Sequence, residues 1–131
     1  MNIGVKKLDI KKDHRGWLAE IVQPKDVGSN TFGLILVTTA KPGQTKGNHY
    51  HKIKTEWYCV IRGQALLTLI DNKTQEVKKL HMGEDNMVLV RIPPNNFHTI
   101  KNVGGKEMYL MVYVNQAFDP KDPDTYYDKP L

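Results

Sequence analysis

Cysteine is nearly absent from this sequence: 131 residues contain a single one, Cys59, so no internal disulfide can form. A lone thiol in an apolar run suits a reducing cytoplasm. Long hydrophobic runs are absent too, and none approaches the ~18 residues that a membrane helix needs. The opening residues, MNIGVKKLDIKKDHRG, are basic but lack the apolar stretch of a signal peptide. There is no glycine-rich dinucleotide fingerprint and no nucleic-acid-binding motif. Internal repeats and low-complexity tracts are missing as well. These absences predict one soluble, cytoplasmic domain over 1–131 that relies on its own core. A chain of this length buries roughly 68–70% of its unfolded surface without covalent staples.

Basic residues are plentiful: 19 Lys and Arg against 14 Asp and Glu give a net charge of +5. They are scattered rather than gathered into a stripe. That leaves a solvated basic surface or a small phosphate-bearing ligand, ahead of nucleic acid. Short apolar or alternating runs recur at Trp17–Val22, Phe32–Thr39, Glu56–Arg62, Ala65–Asp71, Met87–Ile92 and Met108–Val114. Turn residues separate them, among them Lys41-Pro-Gly43, Arg62-Gly63, Asp71-Asn72 and Pro93-Pro-Asn-Asn96. The pattern predicts an all-β sandwich or barrel of hairpins. Thr74–Met82 is too short and weakly periodic for a helix and reads as strand and turn. The core is expected over about 13–115, and the proline-rich tail, 116–131, on the surface.

One stretch concentrates chemistry: GQTKGNHYHKIKTEWYCVIRG, residues 43–63. On a strand, His49 and His51 share one face, Tyr50 takes the other, and the two imidazoles can converge on one point. After the chain turns back, Glu56, Tyr58 and Val60 share a face opposite Trp57, Cys59 and Ile61. If Glu56 faces the histidines, Cys59 cannot join them. His98, after the turn at Pro93, offers a third imidazole. Three imidazoles and one carboxylate suit Zn²⁺, Fe²⁺, Mn²⁺, Ni²⁺ or Cu²⁺, and the lack of sulfur argues against a structural zinc knot. The rival reading is a hairpin of surface polar residues. His14 and His81 lack such company and read as surface residues.

The spacing Gly43-x5-His49-x-His51-x4-Glu56-x6-Gly63 resembles the first cupin motif. Pro93-x-Asn95-x2-His98-x3-Asn102 matches the second in part, with Asn95 and Met87 where glycines are usual. The resemblance implies a cupin-type jelly-roll β-barrel with a central site of His49, His51, Glu56 and His98. Asp13-His-Arg-Gly-Trp-Leu-Ala-Glu20 is similar to the opening of cupins related to dTDP-4-dehydrorhamnose 3,5-epimerase. Val114-Asn-Gln-Ala-Phe-Asp-Pro and the Thr45–His51 run resemble the cupin domain of bifunctional capsular polysaccharide enzymes. Those enzymes epimerise UDP-4-keto-6-deoxy amino sugars there and reduce them in a separate domain.

The resemblance implies an isomerase, in a homodimer, that epimerises C3 of a nucleotide-linked 4-keto-6-deoxy sugar for surface polysaccharide. Nucleotide-sugar 3,4-ketoisomerases are a second likeness, through Lys46-Gly-Asn-His-Tyr-His-Lys52. A metal-dependent cupin oxygenase and a non-catalytic sugar-binding cupin are the alternatives from other classes. In all the isomerases a C4 ketone acidifies the C3 proton, a base takes it, and the enediolate oxygen must be stabilised. A neutral histidine suits the base. His49 cannot ligate a metal and take that proton with the same lone pair, so either it is the base or it joins His51, Glu56 and His98 around a divalent ion, zinc first. In the second case Tyr58, Tyr113 or a metal-bound hydroxide would be the base. The resemblance also makes Lys46 a pyrophosphate or oxyanion contact, Arg15 and Tyr58 substrate contacts, and His51 and Tyr113 candidate proton-transfer groups.

Overall fold

The computed structural model describes residues 1–14, 16–19, 21–28, 33–116 and 119–129, with the backbone alone at 16–18 and 24. The elements, in chain order, are β1 (Gly4–Lys7), β2 (Lys11–Asp13), β3 (Gly16–Leu18), α1 (Pro24–Val27), β4 (Leu34–Ala40), β5 (Thr45–His49), β6 (Glu56–Arg62), β7 (Gln64–Asp71), β8 (Val77–Gly83), β9 (Val88–Ile92), β10 (Asn96–Asn102) and β11 (Met108–Val114). Two antiparallel sheets face each other. One has the order β1-β9-β6-β11-β4, the other β5-β10-β7-β8, and β2-β3 form a separate hairpin. Among the described residues, no helix is long and apolar enough to cross a membrane.

The strand sequences explain this layering. β7 alternates: Ala65, Leu67 and Leu69 are fully buried between the sheets, while Leu66 and Thr68 are only half-buried. One face of its sheet therefore meets the core. β6 is apolar on both faces, because the five-stranded sheet is covered twice. Tyr58 and Val60 join Leu67, Leu69, Met82, Leu110 and Val112 in the inner core. Trp57 and Cys59 join Leu8, Met87, Leu89 and Tyr113 in an outer cluster, against which Ile10, Ile21, Val22 and Val27 pack. Each fully buried aliphatic contributes roughly 1.5–3 kcal/mol through removal from water. Gly63, at φ 87, links β6 to β7; a Cβ there would stand 3.2 Å from the Met108 backbone in a left-handed conformation. The β7–β8 turn is an Asx turn, in which the Asp71 carboxylate accepts the amides of Lys73 and Thr74 at 2.9 and 3.1 Å.

The all-β expectation holds, and the strands expected at 56–62, 65–71, 87–92 and 108–114 are present to within a residue or so. Three local expectations differ. Of the described residues in Trp17–Val22, Trp17 and Leu18 are strand; Ile21 and Val22 pack on the outer cluster instead. The core begins before residue 13, because β1 pairs with β9 along Gly4–Lys7. β5 stops at His49, so His49 and His51 do not share a strand. Phe32 lies outside the described residues.

Candidate active site

β5 and β10 carry the first two imidazoles. His49 stands directly opposite His98, but the next pair is Gly47 with Thr99, so Asn48 is an extra residue. This β-bulge has left-handed backbone at Gly47 and Asn48, with φ of 90 and 58. A Cβ on Gly47 would come 2.8 Å from the His98 carbonyl oxygen, so the bulge needs glycine there. The bulge also resets the alternation. Lys46 pairs with Ile100, an inner-core residue, and thus shares the face of His49 although the two lie an odd number of positions apart.

The loop after β5 brings in the other two groups. Its ends are pinned from several sides: the Asn95 amide donates to the His51 carbonyl at 2.7 Å, and Thr55 and Asn115 exchange main-chain and side-chain hydrogen bonds. Glu56 then opens β6 pointing inward, in phase with Tyr58 and Val60. The four side chains meet. The ligand atoms of His49, His51, Glu56 and His98 all lie within 4.8 Å of one another. His51 Nε2 is 3.0 Å and His98 Nε2 3.2 Å from Glu56 Oε1. The His49 ring centroid lies 4.9 Å from that of His51 and 4.7 Å from that of His98. His98, at 1% exposure, is the deepest; His51 and Glu56 are also buried, and His49 is half-buried.

The outward nitrogens decide the chemistry of the inward ones. His51 Nδ1 is 2.6 Å from the Asp124 carbonyl and His98 Nδ1 is 2.9 Å from the Asn96 carbonyl. His49 has a main-chain partner too, at Gly47. A carbonyl only accepts, so Nδ1 of His51 and His98 carries the proton and Nε2 of the neutral ring presents a lone pair. With both rings neutral, two lone pairs would face the Glu56 carboxylate, acceptor against acceptor; a protonated His51 donates to it at 3.0 Å, and the buried His98 Nε2 has no hydrogen-bond partner. A proton or a cation relieves that arrangement. Carbonyl-fixed imidazoles beside a carboxylate are also what a divalent ion requires of its ligands and their supports. The residues fit such an ion.

Electrostatics follow from the same contacts. Burial pushes the Glu56 carboxyl up, but the adjacent imidazoles of His51 and His98, in their protonated forms, outweigh it and hold it well below the ordinary carboxylate range. Burial lowers His51, yet the Glu56 carboxylate more than reverses this, so it titrates above a free histidine. His49 has no carboxylate contact; burial, then the neighbouring imidazoles, lower it from 6.5 to about 4, and it is neutral at physiological pH.

The remaining candidates divide sharply. Tyr58 faces the cluster, its ring edge-on to His98 at 5.6 Å. Burial, reinforced by Glu56, raises its pKa well above 10, which favours the protonated phenol. Tyr113 does not reach the cluster. It lies on the outer face beside Trp57, and its hydroxyl accepts the Gly33 amide at 3.3 Å. Lys46 sits at the open side, where its ammonium donates to Thr38 Oγ1 at 2.6 Å. Arg15 and Phe118 lie outside the described residues. His14 and His81 are exposed, and Cys59 is buried on the far face of β6.

The tail is the feature that the sequence reading missed. It does not simply run over the surface: Asp124 is 4% exposed, and its carboxylate accepts the amides of Lys52, Ile53 and Lys54, each at 2.9 Å. Tyr50 and Tyr126 exchange both main-chain hydrogen bonds, at 2.9 and 3.0 Å, and their rings stack. Tyr127 stands at the mouth, edge-on to His49 at 6.1 Å and 70% exposed. The prolines that spoke against a strand concealed an aspartate suited to capping a loop.

The fold and this inward-facing cluster define a cupin-type jelly roll. Within that class, the chain belongs to the polysaccharide biosynthesis C-terminal domain family, which matches it over residues 11–126. It is 35% identical over 114 residues to the UDP-2-acetamido-2,6-beta-L-arabino-hexul-4-ose reductase of Pseudomonas aeruginosa, covering 87% of this chain but 29% of that protein. To the spore coat polysaccharide biosynthesis protein SpsL of Bacillus subtilis it is 30% identical over 127 residues, covering 93% and 84%. A dTDP sugar isomerase from Desulfovibrio desulfuricans shares the fold at a TM-score of 0.87 and 16% identity, covering 98% of this chain and 84% of that one.

Proposed function

We propose that this domain is a nucleotide-sugar epimerase acting at C3 of a 4-keto-6-deoxy sugar in surface polysaccharide biosynthesis, with a divalent ion, zinc by preference, held by His49, His51, Glu56 and His98. The observation that carries the ion is the pair of carbonyl-fixed imidazoles whose lone pairs, one of them unpartnered, converge on one buried carboxylate. Support for the sugar comes from the Pseudomonas relative, whose name specifies a UDP-linked sugar with its carbonyl at C4. A C4 ketone acidifies the proton on C3. Its removal leaves an enediolate, and return of a proton to the opposite face inverts the carbon with no net oxidation.

Such an ion supplies Lewis-acid stabilisation of negative charge on oxygen. The chain's own residues supply the rest. Main-chain carbonyls hold the imidazoles in one tautomer, and the inner core keeps water from the deep side of the site. Tyr58 is a protonated, buried neighbour of His98 and fits a donor role toward substrate. Lys46, on the face of His49, is the residue proposed to contact a pyrophosphate.

A second reading of His49 has an observation of its own. It is the least buried of the four and the one imidazole out of contact with Glu56, so it suits proton transfer at C3 while the other three groups hold the ion. General acid–base groups contribute roughly 10²–10⁴-fold. We also propose a homodimer, supported by the aliphatic edge strand β4, where Ile35, Leu36 and Val37 are 51, 37 and 57% exposed. A cytoplasmic location rests on the single unpaired thiol.

The test is incubation with UDP- and dTDP-linked 4-keto-6-deoxy sugars in D₂O, alongside elemental analysis. Deuterium at C3 without oxygen uptake is expected. Ketone migration would assign a 3,4-ketoisomerase, oxygen uptake with bound iron an oxygenase, and binding without exchange a sugar-binding module; each outcome overturns the proposal. Zinc-loaded protein whose His49→Asn variant keeps its metal but loses exchange makes His49 the base; loss of both makes it a ligand.

A further inference from the structure

We infer that Asp124 is a positioning residue of this site: it clasps the tail to the 51–55 loop and thereby sets the orientation of His51. His51 lies two residues beyond the end of β5; β6 reaches its inward nitrogen through Glu56 at 3.0 Å, but neither sheet holds its outward one. What holds the outward nitrogen is the tail. The Asp124 carbonyl takes the His51 Nδ1 proton at 2.6 Å, and the carboxylate of the same residue accepts three successive loop amides at 2.9 Å. Ring and loop are thus gripped by one amino acid. Further contacts close the clasp: Lys54 Nζ donates to the Pro123 carbonyl at 3.0 Å, and the Lys52 ammonium lies 4.2 Å from the centre of the Tyr126 ring.

The residue type is specified twice over. Asp124 has a left-handed backbone, φ 51, a conformation that aspartate and asparagine adopt far more readily than most side chains. It is this turn in the main chain that lets carbonyl and carboxylate address neighbouring targets. Three amides also call for a carboxylate, since a single amide oxygen cannot accept all three well. Outer partners of ligating histidines are worth roughly 10–100-fold in metal affinity when removed. His98 needs no such device, because its acceptor, Asn96, lies two residues away on its own strand.

The inference rests on the proposed ion only for the affinity readout. The experiment uses the full chain with Asp124→Ala and Asp124→Asn. Zinc affinity is measured by competition with a chromophoric chelator, the ring Nδ1 protons are followed by NMR in zinc-free protein, and strand content by circular dichroism. Asp124→Ala should lose roughly 10–100-fold in zinc affinity. Its His51 Nδ1 proton should exchange rapidly with water, while the His98 Nδ1 proton and the strand signal persist. Asp124→Asn, with its backbone preference intact, should fall between alanine and the parent. Parent-like affinity together with a protected His51 proton in Asp124→Ala would overturn the assignment. If Asp124→Ala does not fold, Asp124→Asn decides: an exposed His51 proton with retained strands supports the clasp, and a protected one sinks it. If the parent binds no zinc, the metal reading falls, and the proton readout still judges Asp124.

Discussion

Glu56 and Cys59 stand three residues apart on β6, on opposite faces, at 8 and 0% exposure. Their acidities move in opposite directions. Burial alone pushes the Cys59 thiol up to about 12. Glu56 feels the same push, yet two imidazoles reverse it and keep the carboxylate charged. On the outer face, Cys59 lies in a cluster with Leu8, Trp57, Met87, Leu89 and Tyr113 and behaves as a small hydrophobe. On the inner face, the bulge, the Asn96 carbonyl and the tail bring three imidazoles to a point. The strand is one and the same, so depth in the fold does not create a site; convergence of complementary groups does.

The largest effect that would test this contrast is at Glu56 itself. Glu56→Gln should cut C3 exchange by at least about 10²-fold, the size of one positioned electrostatic contribution, and release bound metal. Cys59→Ala should leave exchange and metal content unchanged and cost about 1 kcal/mol in stability. Equal rate losses in the two variants, measured by deuterium incorporation, would break the comparison. In stability, the largest change should come from the inner core. Leu67 is fully buried in the inner core, and Leu67→Ala should cost roughly 2–5 kcal/mol in denaturant unfolding while keeping the stoichiometry of bound metal. Tyr113→Phe is a finer probe of the outer face. It removes the acceptor for the Gly33 amide and should cost roughly 0.5–1.5 kcal/mol with no change in rate. A rate loss there, with the melting temperature unmoved, would return Tyr113 to the chemistry.

These contrasts also mark what could be read from the chain. The cluster was legible because a tight spacing, His49 to Glu56, survives any error in strand boundaries: the rings converge whether or not His51 lies on the strand. The two faces of β6 were legible because side chains alternate strictly along it. The face of Tyr113 was not, since β11 is buried on both sides and its apolar run carries no inside–outside signal. Lys46 misleads for a related reason: alternation puts it opposite His49, and only the bulge at Asn48 restores it to the same face. Asp124 was hidden because its partners are main-chain amides, to which a side-chain pattern gives no pointer. β1 was missed because Gly-Val-Lys-Lys is too short and too polar to announce a strand; pairing with β9 creates it.

The smallest effect concerns how the outer face is covered. Lys6, on β1, donates to Asp26 of α1 at 2.5 Å and also reaches the Ile21 carbonyl at 3.4 Å, tying the N-terminal segment over Trp57 and Leu89. Burial raises the Asp26 carboxyl, but the Lys6 contact and the Gln23 amide outweigh it, so its folded pKa lies below the ordinary 3.8. A carboxylate with a depressed folded pKa contributes stability that is present above its unfolded value and lost as pH falls through the folded one. The parent should therefore lose roughly 0.2–1 kcal/mol more than Asp26→Asn on acidification from neutrality to below the carboxylate range, as befits a partly exposed pair. Parallel melting curves for the two proteins across that range would show the tie to be idle. A loss of C3 exchange in Asp26→Asn at neutral pH would go further: it would mean that the cover on one face of the sheet is coupled to the cluster on the other.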